Sequence, residues 1–171
     1  MKLLGAILAG GQARRFGSDK AHAKIDGIRL IDKVADSLGQ QTTAIIVCGR
    51  EEPGFGCVPD RPAADHGPLG GLNAALVFAE THGFTHVLSA GVDIPNLPGD
   101  LAAQLAGEGA AIVESQPVVG LWPVSIAADI AEFIDTGGRA LYGFGESVGA
   151  RRVELTHPLL NINRPDDLPA D

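Results

Sequence analysis

Positive charge is scarce in this chain. Thirteen Lys and Arg stand against 21 Asp and Glu, a net charge of −8. A general nucleic-acid binder carries a basic face, so that class is excluded. No apolar run approaches the ~18 residues that a membrane-spanning helix needs. Cysteine is nearly absent: Cys48 and Cys57 stand nine apart without a third Cys or a His beside them. They fit neither a zinc site nor a C-x-x-C redox pair, and no Cys/His cluster competes as a metal site. The chain enters an apolar strand directly, with no cleavable leader, which predicts a cytoplasmic protein in which a Cys48–Cys57 disulfide is not expected. Internal repeats and low-complexity linkers are missing. So are both common phosphate loops. A P-loop needs G-x-x-x-x-G-K-[ST], but Gly17 follows Gly11 by six, and Ser18 and Asp19 stand where Lys belongs. The dinucleotide fingerprint G-x-G-x-x-G does not occur.

What remains is a chain of 171 residues, 45% hydrophobic and 20% charged, which is enough for one folded domain with a full core. Its most informative stretch runs from Leu3 to Lys20. Leu3 to Ala9 is a continuous apolar run bounded by glycine, the pattern of a strand buried on both faces of a parallel sheet. Gly10-Gly11 follows, where backbone bends freely or approaches a ligand closely. Arg14, Arg15 and Lys20 then place three cations in one loop of an acidic chain. Strand, glycine turn and clustered cations form a cradle for a polyanion such as a nucleotide phosphate chain.

Farther along, strand and helix patterns alternate. Ala23-Lys24-Ile25 followed by Asp26-Gly27 predicts a short extended piece and a tight turn. Leu30, Ile31, Val34, Ala35 and Leu38 predict an amphipathic helix that stops at Gly39. Strands are expected at Ala44–Val47, Phe55–Val58 and His86–Ala90. Gly67 to Gly71 reads as a glycine loop leading to a helix from Leu72, with its N-terminus open to a ligand. The alternative is that these glycines let a helix pack closely. Asp93 falls just past a buried strand, on the edge where open α/β sheets bind ligands. Pro98–Leu105 reads as a helix. In the second half, strands are expected at Ala110–Val113, Val118–Trp122 and Arg152–Leu155. Helices are expected at Ser125–Ile134 and Arg139–Phe144, with a short terminal helix from Arg164. The fold expected is a three-layer α/β sandwich with a mostly parallel sheet and an antiparallel excursion around Gln116-Pro117. A single domain is expected, with a nucleotide-binding half over about 1–100 and an acceptor half over about 101–171.

The string from Leu8 to Lys20, L-A-G-G-x-x-x-R-x-G-x-D-K, resembles the signature of the molybdenum cofactor guanylyltransferases. Val58-Pro59-Asp60, Gly67 to Gly71, Val92 to Pro95 and Asn161 to Leu168 resemble further blocks of that family, in family order. The resemblance implies a glycosyltransferase-A-like (Rossmann-like) nucleotidyltransferase. GMP would pass from GTP to molybdopterin, the molybdenum cofactor, with Mg2+ required and pyrophosphate released. By that resemblance Lys20 contacts the phosphates, with Arg15 and Arg14 beside it, and Asp93 holds the metal. Leu8, Ala9, Gly10, Gly11, Cys48, Asp60 and Gly70 fall at nucleotide-binding positions, and Asn161 and Asn163 on the acceptor side. For the last two, turn formation before a helix is the equal alternative. Transient contact with a molybdenum insertase and with acceptor molybdoenzymes, and a monomeric state, are implied too, with no nucleic-acid or membrane partner.

This sequence departs from the family pattern twice. Cys48 replaces an Asn at the end of the second strand, and Gly27-Ile28-Arg29-Leu30 replaces G-K-P-L. Two rivals therefore stand beside the guanylyl reading. One is the same fold using CTP or a sugar phosphate; the other is a non-catalytic GTP-binding domain.

Overall fold

The computed structural model describes residues 1–10 and 19–169. Seven strands form one sheet in the order β5-β4-β1-β6-β8-β7-β9. β1 (Leu3–Leu8) is its parallel centre, paired with β4 (Ala44–Cys48) on one side and β6 (His86–Gly91) on the other. β5 (Gly56–Val58) extends the parallel side beyond β4. β8 (Gln116–Pro123) runs antiparallel to both β6 and β7 (Ala111–Val113), while β9 (Arg151–Val153) is parallel to β7. The antiparallel excursion expected around Gln116-Pro117 is thus present. β2 (Lys24–Ile25) and β3 (Ile28–Arg29) form a separate hairpin through Asp26-Gly27.

Helices cover both faces. Every residue of β1 is buried, as its unbroken apolar run requires. Leu4, Ala6 and Leu8 point to one core; Leu3 and Ile7 point to the other. The first core takes α2 (Pro68–Thr81), α4 (Ala127–Asp135) and α5 (Leu141–Ser147). The second takes α1 (Leu30–Gly39) and α3 (Leu101–Leu105). Ile25 and Leu30 meet Ile162 in a third, small cluster that ties the hairpin to the C-terminal segment.

Several expected elements differ in extent; the helix expected at Ser125–Ile134, for one, opens as a 3₁₀ turn, Val124–Ile126, and runs on as α4 to Asp135. Helix α2 begins at Pro68, so Gly70 and Gly71 lie in its first turns and not in a loop. A Cβ on Gly70 would come within 3.1 Å of Asp60 Cβ, and one on Gly71 within 3.1 Å of Leu8 Cδ2. Close packing of helix on sheet therefore explains these two glycines. Helix α3 starts at Leu101 because Pro98 to Leu101 closes a turn, Leu101 N–H donating to Pro98 O at 3.2 Å. Helix α5 starts two residues later than expected, since Ala140 is extended. The C-terminal block forms only one 3₁₀ turn, Pro165–Asp167.

Chain order across the sheet reverses at β1: β4 and β5 follow it on one side, β6 on the other. Open sheets bind ligands at the strand C-termini beside such a reversal.

Candidate active site

A cavity of about 270 Å³ occupies that point. Leu8, Ala9 and Gly10 enter it from β1, Gly91, Val92 and Asp93 from β6, and Asp60 from the segment after β5. Gly67, Pro68 and Gly71 bring the N-terminus of the 14-residue α2 to its wall. Backbone N–H groups and the helix dipole favour an anion there.

Glycine is a geometric requirement at the floor of the cavity. A Cβ on Gly10 would stand 2.6 Å from Asp60 Oδ2, and one on Gly49 would stand 2.5 Å from Gly10 Cα. Gly49 also has φ +89°, while its N–H donates to Val58 O at 2.8 Å. Three segments thus meet backbone to backbone, and the Asp60 carboxylate lies across the join.

Lys20 opens a 3₁₀ turn, Lys20–His22, capped by Asp19, whose Oδ1 accepts from Ala21 N–H at 3.2 Å. Arg50 Nη1 and Nη2 donate to both Asp19 oxygens, at 2.7 and 2.6 Å. That pairing, together with its charge, holds the Asp19 carboxyl below the ordinary range despite burial. Lys20 and Arg50 both line the cavity, and among the described residues no carboxylate holds Lys20 in an ion pair.

Both cavity carboxylates are pushed up. Burial raises Asp93, only partly countered by the Lys20 charge and by its own backbone N–H. Burial raises Asp60 as well, against a smaller opposing effect of His66. Asp60 Oδ1 is buried without a hydrogen-bond partner among the described residues. Asp60 therefore has carboxylate capacity that the described residues do not satisfy.

Six of the residues expected from the sequence converge here: Leu8, Ala9, Gly10, Lys20, Asp60 and Asp93. Gly11, Arg14 and Arg15 lie outside the described residues. Cys48 does not reach the cavity. Its side chain is fully buried against the α2 core, burial pushes its thiol up, and its carbonyl accepts Ala9 N–H at 2.9 Å. Gly70 sits behind Asp60, its carbonyl taken by Arg61 N–H at 3.0 Å. Asn161 and Asn163 flank Ile162, whose N–H donates to Asp93 O at 2.8 Å. Asn96 draws the same segment in, accepting from Leu160 N–H at 2.7 Å and donating to Pro158 O at 3.2 Å. Asn161 Oδ1 is buried and unpartnered among the described residues, whereas Asn163 is exposed and gives its N–H to Asp167.

Sequence reasoning passed over Gly49, Arg50, Val118 and Glu52. The first two directly follow strand β4 on the ligand-binding edge, and that position was their signal.

The donor set suits Mg2+. Among the described residues no three His, Cys, Asp or Glu side chains converge into a closed metal cage. Mg2+ does not require one, because it usually takes one or two carboxylates and completes its octahedron with phosphate oxygens and water. Asp93 provides such a carboxylate at the cavity wall.

Cation, acceptor carboxylates, helix N-terminus and a glycine-floored cavity at the strand reversal define the nucleotidyltransferase class. The chain matches the MobA-like NTP transferase domain over residues 5–151 and belongs to that family. It is 39% identical to the molybdenum cofactor guanylyltransferase of Cereibacter sphaeroides, over 98% of this chain and 94% of that protein. It is 35% identical to the enzyme of that name from Rhizobium leguminosarum bv. trifolii, over 98% and 90%. In fold it is similar to molybdopterin-guanine dinucleotide biosynthesis protein A from Archaeoglobus fulgidus, with a TM-score of 0.72 at 22% identity over 96% and 94% of the chains. The 2-C-methyl-D-erythritol 4-phosphate cytidylyltransferase of Thermus thermophilus shares the fold too, with a TM-score of 0.71 at 15% identity over 98% and 94%. No described helix is long and apolar enough to cross a membrane.

Proposed function

We propose that this chain transfers GMP from GTP to molybdopterin carrying molybdenum. A terminal phosphate oxygen of the pterin attacks the α-phosphorus of GTP, the bond to the β-phosphate oxygen breaks, and pyrophosphate leaves. Molybdopterin-guanine dinucleotide is the product. The observation that carries this reading is the meeting of Lys20, Asp60 and Asp93 in one cavity, in a chain 39% identical to a protein of that name.

Phosphoryl and nucleotidyl transfer leave a protein little covalent work, so positioning and charge dominate. Lys20 offsets triphosphate charge. The N-terminus of α2 adds backbone N–H groups, and Gly10 and Gly49 let the ends of β1 and β4 meet beneath the nucleotide with Asp60 across them. Asp60 is an acceptor for a base or ribose that donates, as the N1 and N2 hydrogens of guanine do. Asp93 would hold Mg2+, with Asn161 as a neutral oxygen nearby. Bound there, Mg2+ would neutralise charge on the phosphate oxygens. The pterin is expected from a molybdenum insertase and its product passes to an acceptor molybdoenzyme; a monomer suffices for this chemistry.

Thermal shifts with GTP, CTP, ATP and UTP, with and without Mg2+, test the base. A ligand at a hundred times its Kd adds about 2.7 kcal/mol of stability. A shift selective for GTP is expected, with pyrophosphate released once molybdopterin is added. A CTP or UTP shift would overturn the substrate. GTP binding without pyrophosphate release would favour a non-catalytic domain.

A further inference from the structure

A buried acid lies behind the cavity, outside every role described so far. Glu52 is 2% exposed, in the loop between β4 and β5. His22 Nε2 lies 2.8 Å from its Oε1, and Arg29 Nη1 donates to the same oxygen at 3.1 Å. Arg50 Nη2 lies 3.3 Å from Oε2. The acid's own backbone is fixed as well. Its N–H donates to Cys57 Sγ at 3.1 Å, and its carbonyl accepts Phe55 N–H at 3.2 Å.

A buried ion cluster is often neutral to stability, because desolvation offsets the attraction. What marks this one is where its partners lead. Arg50 continues to both oxygens of Asp19, the residue before Lys20. His22 closes the 3₁₀ turn that Lys20 opens. One carboxylate thus reaches that turn from both ends, by charge alone through Arg50 and Asp19 on one side, Oε2 having no hydrogen-bond partner among the described residues, and by the His22 contact on the other. Arg29 shares Oε1 with His22 and is itself fixed by Asp32, at 2.7 and 3.1 Å. Among the described residues no carboxylate pairs with the Lys20 ammonium, so within them its turn is what positions it.

We propose that Glu52 is a positioning residue that sets Lys20 against the triphosphate through the Arg50–Asp19 pair and His22. The proposal rests on Lys20 being the phosphate-facing cation. A turn released at both ends lets the Lys20 ammonium sample positions away from the phosphates. Misplacement on the ångström scale is costly in such sites.

A double-mutant cycle on GTP affinity in Mg2+, read by calorimetry, tests it. Glu52→Gln keeps the volume and removes the charge. It is expected to raise the Kd for GTP about tenfold, and a Lys20→Ala background should abolish most of that increase, because groups acting through one another are not additive. Independent, additive losses would overturn the positioning role and leave Lys20 in place. An unchanged Kd in Lys20→Ala alone would overturn the Lys20 assignment and this proposal with it. Should Glu52→Gln fail to fold, Asp19→Asn cuts the same chain of contacts at a half-exposed side chain. Its loss must then show the same dependence on Lys20, and additivity there overturns the proposal equally.

Discussion

Gly49→Ala is expected to destabilise the protein by about 2–5 kcal/mol, from left-handed strain of about 1–2 kcal/mol and overpacking of about 1–3 kcal/mol. It should also weaken GTP binding at least about tenfold, since the displaced backbone is the cavity floor. The strain comes from φ +89°. The overpacking comes from a methyl placed 2.5 Å from Gly10 Cα and 2.7 Å from Asp60 Oδ1. Backbone cannot rotate aside as a flexible side chain can. Gly54 supplies a matched control: its φ is +90°, and a Cβ there meets nothing within 4 Å. Gly54→Ala should therefore lose only the strain and leave GTP binding intact. Urea denaturation of both variants separates the two effects. Equal losses of stability would mean that Gly10 and Gly49 do not approach as described.

The same contrast marks what the sequence could and could not disclose. Strand β1 was legible because a centre strand covered on both faces must be apolar throughout, and Leu3 to Leu8 is. Asp93 was legible from its place after a buried strand. The start of α2 was not, because glycine at Gly70 and Gly71 reads as loop. Its cost in a helix is outweighed by contact with Asp60 and Leu8, which are distant in sequence. Gly49 has the same character: both its φ of +89° and its contact with Gly10 are set only when β1 and β4 come together. Glu52, next to Glu51 in an acidic chain, reads as solvated charge. It is buried only because His22, Arg29 and Arg50 are brought round it from separate segments. Cys48 shows the converse. As a departure from the family pattern it drew notice, yet its side chain faces the α2 core and only its backbone touches the β1 end of the site.

Asp93→Asn should cost about a thousandfold or more in turnover, the scale of several kcal/mol expected from losing a metal's charge stabilisation. The same substitution should make the ligand-free protein more stable at pH 7. The sign follows from burial. Asp93 is raised above its ordinary value, so the native state holds the proton more tightly than the unfolded chain. Its contribution to stability is fully present below the unfolded value and is lost as pH rises through the raised native one. The carboxylate's charge is therefore a liability in the apo fold, because the attraction of Lys20 does not overcome desolvation. Asparagine keeps the shape without the charge, so the melting temperature should rise at pH 7, and the gain should vanish toward pH 3. Mg2+ and GTP together should reverse the order, stabilising the wild type and not the variant. Scanning calorimetry across pH, with and without Mg2+ and GTP, reads all of this apart from any assay of turnover. A variant that melts lower than wild type at pH 7 would show that Asp93 is satisfied within the protein. A wild type that gains no more than the variant from Mg2+ with GTP would remove Asp93 as the metal's ligand. A carboxylate whose charge is costly to the empty fold, because burial outweighs its partners, is what a metal-binding position offers before its ion arrives.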